Sequence, residues 1–243
     1  VGEVHILYGK NPILEAIKAS KTISKVFIQI GINKKKLGDL IQNLEKNSIP
    51  YSYVPIQKLN KLTPHNHQGI VAQLSEISFF PIEELIETHI NNGLYILLDG
   101  ITDTRNLGAI IRSAAAAKAT AVVIPTSGSA QITADTIKTS AGGVFQVPIC
   151  RVSHLKDVIY LLQSYDIQPI VADEKADQNL FEIDLTSSVA IVMGSENIGV
   201  SQGVRKLCSQ TAKLPILGDM DSYNVSVAAG MFLYEAMRQR LKS

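Results

Sequence analysis

The sequence predicts an α/β protein: a parallel-sheet domain preceded by a smaller α/β module. Three observations carry that expectation. From Leu94 onward, short apolar runs rich in Val and Ile alternate with helical or loop segments, as in strands buried on both faces of a parallel sheet. Three segments at the ends of such runs are unusually polar or glycine-rich, and ligands in these folds gather beyond the carboxyl ends of strands. Charge is also split. Residues 1–75 carry ten lysines against four carboxylates, a surplus of six, whereas residues 76–243 carry thirteen basic and eighteen acidic residues, a deficit of five; the chain is left at +1.

The elements follow in order. "YGKNPILEAIKAS" reads as a helix start, with Asn11 as cap, Pro12 in the first turn, and Ile13, Leu14 and Ile17 on one face. "ISKVFIQI" is a strand. "NKKKLGDLIQNLEKN" is a second helix with a basic first turn, and "PYSYVP" and "GIVAQLSEI" are further strands. Residues 1–76 thus form one module, and its lysine excess suits a polyanionic partner. Residues 77–92 read as a linker holding a short helix that Pro81 opens and Gly93 follows. Residues 93–243 form the second domain, with strands expected in "LYILLDG", "TAVVIP", "VFQVPIC", "IQPIVA" and "SVAIVMG".

Several functions are disfavoured. The chain lacks GxxxxGK[ST], a GxGxxG after the first strand of the second domain, and GxSxG. His65 and His67 stand close together, but no carboxylate or cysteine pattern completes a metal site. His67 reads as a loop residue or an RNA contact. Cys150 and Cys208 are isolated in apolar surroundings, which fits reduced packing residues in a cytoplasmic protein. No apolar run reaches the roughly 20 residues of a membrane span. Tyr51 and Tyr53 could stack on bases, although alternating strand aromatics are more often core.

The polar segments are "DGITDTRNLGAIIRSA" (99–114), "MGSENIGVS" (193–201) and "LPILGDMDSYNVSV" (214–227). Each has a bland reading as caps, turns and close packing. Together, three polar segments in one domain ask for more. They resemble, in order, the three motifs of the SpoU/TrmH branch of the SPOUT RNA methyltransferases. Asn106, Gly108 and Arg112 match the first, Gly194, Glu196 and Gly199 the second, and Pro215, Ser222, Asn224 and Val225 the third. "KTSAGGVFQVPI" is similar to the family's Ser-Ala-Gly segment. "LYGKNPILEAI" and "HQGIVA" resemble the branch's L30e-like RNA-binding domain. Tyr223 stands where the family usually has Leu, and Asn197 where it often has Gly.

The resemblance implies a C-terminal trefoil-knotted SPOUT domain that dimerises and uses S-adenosyl-L-methionine to methylate a ribose 2′-hydroxyl. Gly194, Leu214, Ile216, Ser222, Tyr223 and Asn224 would bind the cofactor. Arg112, Asn106, Glu196 and Asn224 would serve catalysis, Arg112 reaching the other subunit's cofactor. No metal is implied. Length and layout are most similar to bacterial members that modify a guanosine of 23S rRNA. A tRNA enzyme of the same family, a non-catalytic RNA-binding protein on the same fold, and a small-molecule α/β enzyme are the alternatives.

Overall fold

The computed structural model describes residues 5–19, 23–47, 49–74, 77–196 and 198–241. The first module runs β1 (His5–Tyr8), α1 (Lys10–Lys18), β2 (Ile23–Gln29), α2 (Lys34–Leu37), α3 (Leu40–Lys46), β3 (Tyr51–Val54), α4 (Ile56–Leu62) and β4 (Ile70–Leu74). Its sheet has the order β1-β4-β2-β3. β4 is antiparallel to both neighbours, and β2 is parallel to β3. β2 is buried on both faces. Val26 and Ile28 join the cluster that holds Ile13 and Leu44, while Phe27 packs with Tyr8 and Leu59.

Some local expectations are corrected. Gly9, not Asn11, precedes α1, and Asn11 lies inside the helix. The basic second helix is two short helices, with Gly38 at φ +51° between them. Tyr53 is half exposed rather than core. The module's end at residue 76 falls on Ser75 and Glu76, which lie outside the described residues, as does Asn197.

The second domain contains α5 (Ile82–Thr88), β5 (Leu94–Asp99), α6 (Thr104–Ala116), β6 (Ala121–Pro125), α7 (Ala134–Thr139), β7 (Ile149–Val152), α8 (Leu155–Ser164), β8 (Gln168–Ala172), β9 (Val189–Gly194), α9 (Gln202–Arg205), β10 (Gln210–Ala212) and α10 (Val225–Arg240). All six strands are parallel, in the order β10-β8-β9-β5-β6-β7. The chain steps outward from β5 to β7, crosses to β8, and inserts β9 beside β5. The order therefore reverses between β5 and β9, whose ends, Asp99 and Gly194, lie in register. A crevice at such a reversal is where open α/β sheets bind ligands.

α5 does more than connect. Ile82 and Ile86 are buried in the same cluster as Tyr95, Val158 and Ile159, and the Tyr95 hydroxyl donates to the Leu85 carbonyl at 3.2 Å. In "VFQVPIC", Val144 and Phe145 belong to a 3-10 turn and the strand begins at Ile149. α10 buries Ala229, Phe232, Leu233 and Ala236 against the domain. Its other side exposes Val227, Met231 and Tyr234, at i, i+4 and i+7. Among the described residues no helix is long and apolar enough to cross a membrane.

Candidate active site

Three elements deliver carboxamide and carboxylate groups to one point at the reversal. Asp103 caps α6, accepting from the Arg105 and Asn106 amides at 2.7 and 3.0 Å. The bonds from Asn106 and then Arg105 hold its carboxyl below the ordinary range. That cap fixes the first turn of α6, from which Asn106 reaches Glu196, two residues beyond β9. Asn224 caps α10, its Oδ1 accepting from the Ser226 and Val227 amides at 3.0 and 3.4 Å and from Ser226 Oγ at 2.6 Å. Capping thus uses the Asn224 oxygen and leaves its Nδ2 for the site. Nδ2 donates to Glu196 Oε1 at 2.6 Å and to Asn106 Oδ1 at 3.2 Å. Asn106 Nδ2 also donates to Glu196 Oε1, at 3.1 Å. One carboxylate oxygen therefore receives two amide donors.

The loop bearing Glu196 is pinned at both ends. Ser195 and Gly199 exchange backbone hydrogen bonds of 2.8 and 3.1 Å. The Ser201 amide donates to Asp99 Oδ2 at 2.7 Å. A Cβ on Gly194 would lie 2.0 Å from the Gly199 carbonyl carbon and 2.1 Å from the Val200 nitrogen, so the loop folds over Gly194 only because no side chain stands there.

Beside this network, which contributes Glu196 to its lining, opens a cleft. Met193, Ala212, Leu214, Ile216, Val225 and Phe232 give it an apolar floor; Asp173, Glu174, Ser195, Glu196 and Ser222 give it a polar mouth. Five expected cofactor residues, Gly194, Leu214, Ile216, Ser222 and Tyr223, line it. Asn224, the sixth, stands at its edge through Glu196. Tyr223 lines the cleft and donates its hydroxyl to the Pro215 carbonyl at 3.1 Å. The cap on α10 is Asn224, while Ser222 is an exposed lining residue.

Arg112 is not brought to this cleft. It is exposed on α6, six residues after Asn106. That spacing turns it about 120° away around the helix and moves it roughly 9 Å along the axis. Asp99, Asp103 and Asp173 were not singled out from sequence. A D-x-x-N step before an apolar helix was a readable signal for Asp103. Asp173, paired with Arg205 and lining the cleft, had none. His67 is a structural loop residue: its Nδ1 accepts from the Gly69 amide at 3.0 Å, and its Nε2 meets Asn60 Oδ1 at 2.8 Å. Among the described residues, no three His, Cys, Asp or Glu side chains group as metal ligands.

Residues 93–234 match the SpoU rRNA Methylase family, and residues 6–80 match the RNA 2′-O ribose methyltransferase substrate-binding family. The chain belongs to the SpoU family of RNA methyltransferases. A TrmH-family tRNA/rRNA methyltransferase of Staphylococcus haemolyticus is 34% identical over 97% of this chain and 96% of its own. The 23S rRNA (guanosine-2′-O-)-methyltransferase RlmB of Haemophilus ducreyi is 36% identical over 92% of each chain. Among solved structures, the SpoU methyltransferase AviRb of Streptomyces viridochromogenes, crystallised with AdoMet, shares the fold with a TM-score of 0.83 at 24% identity, covering 98% of this chain and 91% of its own. The SpoU match spans the whole parallel-sheet domain up to Tyr234, and so includes every residue of the network above.

Proposed function

We propose that this SpoU methyltransferase transfers a methyl group from S-adenosylmethionine to a ribose 2′-hydroxyl of RNA, at a guanosine of 23S rRNA, in the cytoplasm. The observation that carries the reading is the Asn106–Glu196–Asn224 network at the mouth of an apolar-floored cleft. The cleft fits the cofactor on its own chemistry. Its apolar floor suits an adenine ring, its hydroxyl- and carboxylate-bearing mouth suits a ribose and an ammonium group, and the bare Gly194 allows backbone to approach. The bound sulfonium supplies an already activated methyl group, so the protein's work is positioning.

On this reading Glu196, fixed by both amides, and Asn224 hold the cofactor and target ribose in line. Asn106 ties the target side of the site to the cofactor side. Arg112 grips a target phosphate and polarises the 2′-hydroxyl, whose proton passes to solvent. A guanidinium stays protonated in proteins and is a poor base, whereas it is well made to clamp phosphate. Because Arg112 is exposed and absent from the lining of its own chain's cleft, it acts on the cleft of a second copy. The exposed Val227, Met231 and Tyr234 row on α10, with Phe181 beside it, is the face we assign to that homodimer. We also assign to the segment between β10 and α10 the knotted crossing that the family resemblance implies.

The substrate is tested by incubating the protein with labelled S-adenosylmethionine and separate 23S rRNA and tRNA transcripts, then mapping 2′-O-methyl groups. A single modified guanosine in the rRNA supports the proposal. Methylation of tRNA alone moves the substrate, and methylation of neither overturns the catalytic reading.

A further inference from the structure

We infer that Tyr8 and Asp135 are positioning residues for methyl transfer: their hydrogen bond docks the substrate-binding module on the segment that braces α6. The inference rests on the function proposed above and adds how the two domains cooperate in it.

Tyr8 is the last residue of β1, and only 2% of it is exposed. Each part of its side chain is engaged. The hydroxyl donates to Asp135 Oδ1, across the domain boundary, at 2.6 Å. One contact on the ring is His65, stacked with centroids 5.1 Å apart and planes 13° apart. Lys138 places its ammonium 4.7 Å from the ring centroid. His65 Nε2 also lies 3.5 Å from Asp135 Oδ2. Thus two residues of the module, Tyr8 and His65, meet two residues of α7, Asp135 and Lys138. Burial, then the Asp135 carboxylate, raises the Tyr8 hydroxyl well above the ordinary phenol range, so it remains a donor at any working pH. A second bond, from Gln146 Nε2 to Glu15 Oε2 at 3.1 Å, joins α1 to the turn after α7.

α7 is no neutral mooring. It packs on α6 at Gly108, where a Cβ would lie 2.8 Å from the Thr136 carbonyl oxygen and 2.7 Å from the Thr139 Cβ. Gly108 stands two residues from Asn106 and four from Arg112 on the same helix. The 3-10 turn that follows α7 touches α6 directly at Arg112: a Cβ on Gly143 would lie 3.2 Å from the Arg112 Cα. The module therefore rests on the piece of chain that sets the position of α6. RNA held by the module meets Asn106 and Arg112 at an angle fixed by this contact. Positioning of this kind matters because small misplacements of reacting groups cost large factors in rate.

The test uses the full chain. Tyr8→Phe keeps the ring contacts and removes the hydroxyl; Asp135→Ala removes the acceptor; Asp135→Asn keeps an acceptor oxygen. Cys150 and Cys208 are buried, so spin labels on Lys46→Cys and Tyr160→Cys report the domain separation, with labelled protein diluted in unlabelled chains. The parent is expected to give one narrow distance distribution. Tyr8→Phe and Asp135→Ala should broaden it and lower kcat on a 23S rRNA transcript about tenfold. Affinity for S-adenosylhomocysteine and for the transcript should stay within about twofold, a change too small to register as lost binding. Asp135→Asn should behave as the parent, and the double variant Tyr8→Phe/Asp135→Ala should be no worse than either single change. A broad distribution in the parent, or a Tyr8→Phe protein with parental distance and kcat, overturns the inference. So does a matching loss of cofactor affinity, which marks general damage to the fold. A parent that docks narrowly, loosens in Tyr8→Phe and methylates no RNA supports the docking and overturns the function proposed above.

Discussion

The two ends of α6 present opposite pictures. At its start, Asn106 is held by its own capped turn and is bonded to both Glu196 and Asn224. Less than two turns later, Arg112 is exposed and absent from the cleft lining. On the proposed reading, one chain completes the cofactor side of the site and leaves the RNA-gripping side to a second copy. On that same reading, one helix serves two sites at once, contributing an amide to its own cleft and a cation to a neighbour's.

Changes at either end should separate the two roles. The largest effect is expected from Arg112→Ala, which should reduce methyl transfer by at least about a hundredfold, roughly 2.7 kcal/mol of barrier. Its affinity for S-adenosylhomocysteine should stay parental; turnover near the parent's would remove Arg112 from the mechanism. At the other end, Gly194→Ala forces a Cβ into the backbone of residues 199 and 200. Calorimetric titration should show cofactor affinity weakened at least about tenfold, or 1.4 kcal/mol. Unchanged affinity would mean that the loop can shift freely.

Asn224→Ala strikes the join between the two. It removes the cap of α10, about 1 kcal/mol of stability, and strips Glu196 of its shorter amide bond. Both melting temperature and cofactor affinity should fall, whereas Ser222→Ala, which leaves the cap intact, should leave the melting temperature alone. The smallest binding effect belongs to Tyr223→Leu, within about threefold, under 1 kcal/mol. The tyrosine hydroxyl donates to the Pro215 carbonyl, which is not part of the cleft lining, and leucine can fill the same apolar edge. Tenfold weaker binding would show that the ring itself grips the ligand.

A remote site gives a pH-dependent check. Burial lowers the His67 pKa below its ordinary 6.5. The unfolded chain then takes up the proton first as pH falls, so His67 contributes full stability above about pH 6.5 and loses it progressively below. Thermal melts should show that decline, and His67→Gln, which cannot titrate, should flatten it.

Much of this was legible in the sequence, because strands buried on both faces write themselves as apolar runs. "LYILLD" and "SVAIVMG" became β5 and β9. β10 was not readable: Gln210–Ala212 is three residues long, and only its pairing with β8 makes it a strand. Strand order was equally hidden, since β9 slots beside β5 through contacts almost a hundred residues apart. "VFQVPIC" misled because its first apolar residues bury in a turn under α6 instead of in the sheet. At the site, the resemblance to the SpoU/TrmH motifs nominated Asn106, Glu196 and Asn224, which residue type alone left readable as caps and a solvated acid. That a single side chain, Asn224, both caps α10 and joins the network followed only from the geometry, as did the absence of Arg112 from the cleft lining.

The claim that the site is shared between two chains is tested most directly by mixing two impaired proteins, at a cofactor concentration too low to load the Gly194→Ala cleft. Arg112→Ala keeps a sound cleft, and Gly194→Ala keeps a sound arginine. Unfolded together and refolded, they should form mixed dimers in which the intact cleft of one chain meets the intact Arg112 of the other. If subunits assort randomly, half the dimers are mixed and each has one working site, so roughly a quarter of the parent's methyl transfer should return. If the mixture stays as inactive as its two components, Arg112 serves its own chain's cleft and the shared site is wrong.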